Sequence, residues 1–388
     1  MKQNDTYKSK DILLVIGLFL VVFVIGADSF IISPLLPAIE KDYAVTTSQA
    51  ALAVTIYALC YAVGSPFFGP LGDKFNKRKL LITGLLIFLI GSFICAQATN
   101  IGIFYFGRAV AGIGAAVTMP NIWATVGSYF TGKKLNIVMG ITMSALSLSI
   151  AIGVPLGTLL SQLSNWHMAF WGSILLTLVA FGVLLLVVPN LKGNQGKLKY
   201  LASFQTLVKS KKALLSLSIN LVWMFGFYLI YTFLGTFLSQ NFHFNTAQTG
   251  NIFIVYGLSN FIASFCGGHL LSKLGAMKDV ILNGFLSMIF ILGLVIWQNE
   301  LWGIIIFLIL LALAQGLGVT ALTTYIVGVV PDKRSTVMSF NSSFLYLGLT
   351  LGSLIGAILY SKIGFTGLGI ISIMALGIAI IETIRLKK

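Results

Sequence analysis

The feature that most constrains this chain is the recurrence of long, nearly uncharged apolar runs from one end to the other. A run of about eighteen or more apolar residues, coiled as an α-helix, matches the hydrocarbon thickness of a bilayer. Twelve such runs can be read, at about 12–36, 46–70, 80–97, 101–129, 135–162, 167–189, 213–240, 246–272, 279–297, 301–329, 334–361 and 365–385. Several exceed the ~20 residues needed to cross, which implies tilt or extension past the membrane. Composition agrees: 57% of the 388 residues are hydrophobic, 9% are charged, and mean hydropathy is +0.97. A soluble domain needs far more polar surface, and a membrane β-barrel would show short segments of alternating polarity. The expected fold class is an all-α polytopic membrane protein.

Lysines and arginines set the topology. Of the 25 in the chain, 22 fall in the two tails and in the connections near 73–79, 133–134, 190–212, 273–278 and 332–334. The alternate connections hold Lys41 and Lys362, and Arg108 lies inside span four. The positive-inside rule then places both termini in the cytoplasm of a cell that carries this protein in its plasma membrane. The polar start MKQNDTYKSKD leads into a run too long for a signal-peptide core, so that run reads as span one. The net charge of +15 sits in short anchoring clusters, not on one amphipathic face, so no nucleic-acid partner is implied.

The longest connection, PNLKGNQGKLKYLASFQTLVKSKK, carries six lysines, no acid and a candidate surface helix at 199–209. It divides the chain into an N-terminal six-span bundle, 1–189, a basic linker, 190–212, and a C-terminal six-span bundle, 213–388. The halves repeat. GPLGDKFNKRK follows span two and GHLLSKLGAMK follows span eight, with Ser272 standing where Asp73 stands in the first copy. Parallel six-span repeats are a transporter architecture, with the solute site between the halves near mid-membrane.

Asp28 and Arg108 are the two ionisable residues that the runs place in the membrane interior. Such groups are expensive there, face cavities, and mark ion or proton pathways. Burial favours the neutral form of an acid and a nearby cation the charged form, so an acid pulled both ways can take up and release a proton. The alternative is that Asp28 is a structural hydrogen-bond partner for a neighbouring helix. Arg108 can tune that acid, contact solute, or satisfy backbone carbonyls. One charge moving through about 100 mV releases about 2.3 kcal/mol, enough for a solute gradient of more than tenfold. The sequence has no GxxxxGK[ST] stretch, so nucleotide hydrolysis is not the energy source. Protons are the expected coupling ion, with no other cofactor and no metal. Cys60, Cys95 and Cys266 lie apart within apolar spans and suggest neither a disulfide framework nor a metal site.

Three stretches carry a resemblance. Gly69-Pro70-Leu71-Gly72-Asp73-Lys74-Phe75-Asn76-Lys77-Arg78-Lys79 is similar to the loop motif between spans two and three of the major facilitator superfamily. Asn76 replaces the usual second glycine. FYFGRAVAGIGAA, with Arg108, Gly112 and Gly114, resembles the superfamily's span-four motif. GVPLGT, with Gly153, Pro155 and Gly157, resembles the span-five motif of its drug:proton antiporters, and LPAI after span one looks like members exporting sugars, purines and drugs. The resemblance covers essentially the whole chain. It implies two pseudo-symmetric six-helix bundles, alternating access, and function as a monomer. It also implies gating by Gly69, Gly72, Asp73, Lys74, Lys77 and Arg78, with Asp73 bracing helix ends near a positive helix N-terminus. A charge run serving only as a topology anchor is the plainer reading. Pro155 favours a bend, and the glycines favour close helix packing.

Candidate cavity residues are the polar and aromatic groups within spans: Tyr57, Tyr61, Asn121, Trp123, Asn220, Trp223, Tyr228, Tyr231, Tyr256, Asn260, Gln315, Tyr325, Asn341 and Tyr346. An apolar cavity with a few such anchors suits amphipathic organic solutes, although aromatic residues also belt the interfaces. His167, His243 and His269 fall near span ends and read as interfacial. An enzyme would need a cluster of catalytic groups, and one interior carboxylate does not supply it. The functional expectation is proton-coupled efflux of small organic solutes or drugs. A facilitator or symporter of a sugar or nucleobase, and a lipid flippase on the same fold, are the alternatives.

Overall fold

The computed structural model describes residues 9–71, 75–130, 132–190, 210–329 and 334–387, without side chains at 132–133, 136, 267–274, 334–335 and 387. Helix accounts for nearly all of it, because a backbone in hydrocarbon must satisfy its polar groups within its own segment. Span one is Ser9–Phe30 continued, after a break at Ile31, by Ile32–Tyr43. Spans two, three and four are Thr47–Phe68, Lys77–Ala96 and Ile101–Tyr129. Span five is Gly132–Leu148, a π-turn at Ser149–Gly153, and Val154–Leu163. Spans six to ten are His167–Val187, Lys211–Phe242, Thr246–Leu274, Ala276–Ile296 and Leu301–Val329. The last helix, Arg334–Lys387, breaks at Gly364, where φ is +63° and glycine avoids the strain other residues would meet. Spans eleven and twelve are therefore 334–363 and 365–387. All twelve expected runs are helices.

Local chemistry explains the ends. Thr46 caps span two with a reciprocal Gln49 contact, and the side chains of Asn76, Asn100 and Ser210 cap spans three, four and seven. Span one outruns its expected end by seven residues and stops at Ala44, which takes a left-handed conformation. The π-turn precedes Pro155, whose missing N–H leaves the Ala151 carbonyl without its usual helical donor. Side chains such as Leu163, Leu186 and Phe265 are 73%, 90% and 80% exposed, an outer surface suited to lipid tails.

With twelve spans, the described chain begins at Ser9 and ends at Lys387 on one face, here called the basic face. The two halves meet along several seams. Span two is zipped to span eleven by Ser48 Oγ donating to Ala357 O (2.6 Å), a Thr55–Ser353 hydroxyl pair (2.7 Å), Ser343 Oγ to Ala62 O (2.6 Å) and Ser339 Oγ to Ser65 O (2.7 Å). On the side away from the termini, Ser33 Oγ of span one donates to Tyr231 O of span seven (2.6 Å). Gln162 Nε2 of span five likewise donates to Asn245 Oδ1, the residue just before span eight, at 3.4 Å. The face opposite the termini is thus closed along three seams.

Candidate functional site

Asp28 lies near the break of span one, and Arg108 lies on span four. Sequence alone does not fix their separation; in the folded chain Arg108 Nη1 donates to Asp28 Oδ2 at 2.6 Å. Both side chains are essentially sealed, at 2% and 0% exposure. Arg108 also donates to the Asp28 and Ala53 carbonyls, each at 3.4 Å, and its guanidinium lies 4.2 Å from the Tyr57 ring centroid. The other Asp28 oxygen, Oδ1, is buried with no hydrogen-bond partner. A buried polar atom left open in this way calls for an explanation.

Glycines create this closeness. A β-carbon on Gly112, one turn after Arg108, would come within 2.5 Å of Tyr57 O, so its absence lets span four lie against span two. β-Carbons on Gly153 and Gly157 would come within 2.6 Å of Ala27 Cβ and 2.7 Å of Ile31 Cδ1. The glycines of the span-five motif therefore press on Ala27, next to Asp28, and on Ile31, where span one breaks.

A ring of hydroxyls surrounds the pair. Ser29 Oγ bonds Ile25 O (2.8 Å), Tyr57 Oη (3.0 Å) and, across the interface, Tyr346 Oη of span eleven (3.2 Å). Tyr346 stacks on Tyr61 with centroids 3.7 Å apart. Away from the basic face lies a small cavity with room for about one water, lined by Ser29, Phe30, Ser33, Tyr228, Tyr231 and Thr232 among others. Phe30 packs on Tyr228 and Tyr231, and Tyr231 Oη is buried without a partner.

The expected cavity residues thus divide. Tyr57, Tyr61, Tyr228, Tyr231 and Tyr346 gather between the halves. The others with hydrogen bonds tie helices together. Trp223 Nε1 donates to Gln315 Oε1 (2.7 Å) and Gln315 to Ser287 (3.3 Å); Asn220 donates to Asn341 Oδ1 (2.9 Å); Asn260 donates to Ala312 O (3.2 Å). Asn121 donates to Val117 O of its own helix (2.7 Å) and to Phe68 O at the end of span two (3.5 Å), and Trp123 is buried nearby on span four. Tyr256 joins the aromatic cluster around Tyr231, while Tyr325 is half-exposed on span ten.

Asp28 is not the sole sealed acid. Asp279, in the first turn of span nine, is 0% exposed and accepts from Asn283 Nδ2 at 2.6 Å. It stood at the edge of an apolar run, where sequence reads a loop as readily as a core. Ser29, adjacent to Asp28, is the main contributor the sequence left unmarked, because a lone serine inside a span carries no signal of its own.

Of the loop motif, Gly72, Asp73 and Lys74 lie outside the described residues, as do the linker residues 191–209 with the candidate surface helix. Gly69 packs against Ser339 of span eleven. Lys77 is buried, and Arg78 Nη2 donates to Leu185 O at the end of span six (2.6 Å). His167 bonds Ala98 O (3.0 Å) and stacks on Trp166 near a span end, His243 ends span seven with a φ of +56°, and the His269 side chain lies outside the description. The three cysteines are free thiols.

A sequence profile of the Major Facilitator Superfamily matches residues 18–295 and 216–386, which together span nearly the whole chain. The chain belongs to the major facilitator superfamily. An MFS-type transporter of Bacillus subtilis, YwfA, is 31% identical over 95% of this chain and 91% of its own length. Multidrug resistance protein 2 of Bacillus subtilis is 24% identical over 98% of this chain and 96% of its own. The quinolone resistance protein NorA of Staphylococcus aureus is 22% identical over 88% and 89%. The human organic anion transporter MFSD10 (TETRAN) superposes with a TM-score of 0.78 at 17% identity, covering 97% of this chain and all of that one. This major facilitator is a multi-pass membrane transporter of two six-helix bundles, and it is not an enzyme.

Proposed function

We propose that this protein is a proton-coupled exporter, exchanging protons for small organic solutes by alternating access. The observation that carries the reading is the Asp28–Arg108 pair, sealed near the meeting of the halves with one carboxylate oxygen unpartnered. A proton arriving on Asp28 cancels the anion that Arg108 holds, so the pair has two electrostatic states. Rocking of the halves changes which face can deliver or accept that proton. The drug-resistance names of two relatives support export as the direction. The aromatic surfaces of Phe30, Tyr228 and Tyr231 suit amphipathic organic molecules. The bias of lysine and arginine puts the basic face, with both termini, in the cytoplasm. The loop motif, Asp73 included, holds that face closed when the exporter opens outward. The unit is the monomer, its surroundings lipid.

The test is a compound panel in proteoliposomes under an imposed pH gradient, comparing native protein with Asp28→Asn. Proton movement triggered by a solute in the native protein alone supports the reading. Solute transport in Asp28→Asn with unchanged proton movement overturns it.

A further inference from the structure

The Asp28–Arg108 pair belongs entirely to the N-terminal half, yet a protonation event there moves solute only if the other half responds. The C-terminal half packs Tyr228 and Tyr231 on Phe30, and among the described residues it hydrogen-bonds Ser29 through one hydroxyl, that of Tyr346. It lies 3.2 Å from Ser29 Oγ, and Ser29 is the residue after Asp28. Ser29 has a single proton and two acceptors competing for it, Ile25 O at 2.8 Å and Tyr57 Oη at 3.0 Å. The Ile25 carbonyl can only accept. While Ser29 serves either of these acceptors it has no proton left for Tyr346, and the bond across the interface is then donated by Tyr346. Its hydroxyl is committed to reporting where Ser29 is.

Tyr57 closes the chain of contacts back to the pair, since the Arg108 guanidinium rests over its ring at 4.2 Å. The ionisable groups that interact electrostatically with Asp28 are Arg108 of span four, which pairs with it, Tyr57 of span two, Cys95 of span three and Tyr346 of span eleven. Span five presents Ser149 to the preceding turn at Gly26, and span six presents Phe170 to the guanidinium at 6.0 Å.

We propose that Tyr346 is the positioning residue through which the C-terminal half senses the charge state of Asp28, by way of its hydroxyl bond to Ser29. This rests on the proton-coupled reading above. When Asp28 takes a proton, Arg108 loses its anion and settles further onto the Tyr57 ring. The Tyr57 hydroxyl shifts, the Ser29 proton returns to Ile25 O, and the acceptor that Tyr346 faces is reoriented. Tyr346 is stacked on Tyr61 of the N-terminal half, in the seam zipped by serines, so its displacement loosens the span two–span eleven contact. The hydroxyl transmits, and the ring packs.

Spin labels at Thr99→Cys and Glu300→Cys, both exposed on the face opposite the termini, report the distance between the halves. The background replaces Cys60, Cys95 and Cys266, and the full-length protein sits in lipid nanodiscs. In this reference protein the distance distribution changes with pH at a defined midpoint. Tyr346→Phe, which keeps the ring on Tyr61, moves that midpoint by about one pH unit, the scale of one lost hydrogen bond. Ser29→Ala moves it comparably, and the double variant moves it no further, because both changes cut one link. A Tyr346→Phe protein with the reference midpoint, or shifts of the two variants that add, overturns the link while leaving proton coupling standing. A reference protein indifferent to pH overturns both.

Discussion

Gly153 faces Ala27 so closely that a β-carbon on it would lie 2.6 Å from the Ala27 Cβ, one residue before Asp28. The span-five motif and the buried acid are therefore parts of one packed contact. Neither methyl can rotate away, so Gly153→Ala must push spans one and five apart. Overpacking of this kind costs about 1–3 kcal/mol. The expected outcome is a lowered thermal midpoint and a shifted pH profile of transport. Gly127→Ala, where a β-carbon meets nothing within 4 Å, should leave both unchanged.

Breaking the pair from one side should cost more than removing it whole. Arg108→Met leaves a buried carboxylate without its cation, a loss of about 3–5 kcal/mol. Asp28→Asn with Arg108→Met together should recover much of that stability while remaining unable to couple protons. Denaturation of the three variants in detergent gives the coupling energy directly. A double variant as unstable as the sum of the single ones would contradict the assignment.

Gln315 holds Trp223 Nε1 and is held to Ser287, all within the C-terminal half. Gln315→Leu strands a buried indole donor at about 1–3 kcal/mol, so it should lower stability. Solute selectivity should stay as it was. A changed selectivity profile in a panel of exported compounds would return Gln315 to the cavity.

At the basic face, Asp73→Asn should increase labelling of cysteines introduced on the inner ends of spans four and ten, as the brace is released. Ser339→Ala, which removes the bond to Ser65 O, should act in the same direction and more weakly. Labelling rates that match native protein in both variants would leave the loop as a topology anchor alone.

The architecture was legible because the constraint that builds it is one-dimensional. A helix must supply about twenty apolar residues to cross, and each of the twelve runs advertises that length. Asp28 and Arg108 stood out for the same reason, as charges where charges are costly. What stayed hidden was relational. Nothing in the spacing of residues 28 and 108 says that they touch. Gln315 and Tyr346 look alike as polar groups within spans, yet one binds its own bundle and the other spans the interface. Ser29 was invisible because its part depends on a tyrosine 317 positions away. Span one also ran past its expected end, since Glu40 and Lys41 can sit on a helix that has already left the hydrocarbon.

The central claim is that Asp28 changes its proton occupancy. Infrared difference spectroscopy of the purified protein in lipid, taken across a pH titration, follows the carbonyl band of a protonated carboxylic acid. The account predicts a band that grows as pH falls, disappears in Asp28→Asn, and changes its midpoint in Arg108→Met. A native spectrum that Asp28→Asn matches at every pH would mean that this carboxyl never titrates, and would contradict the account.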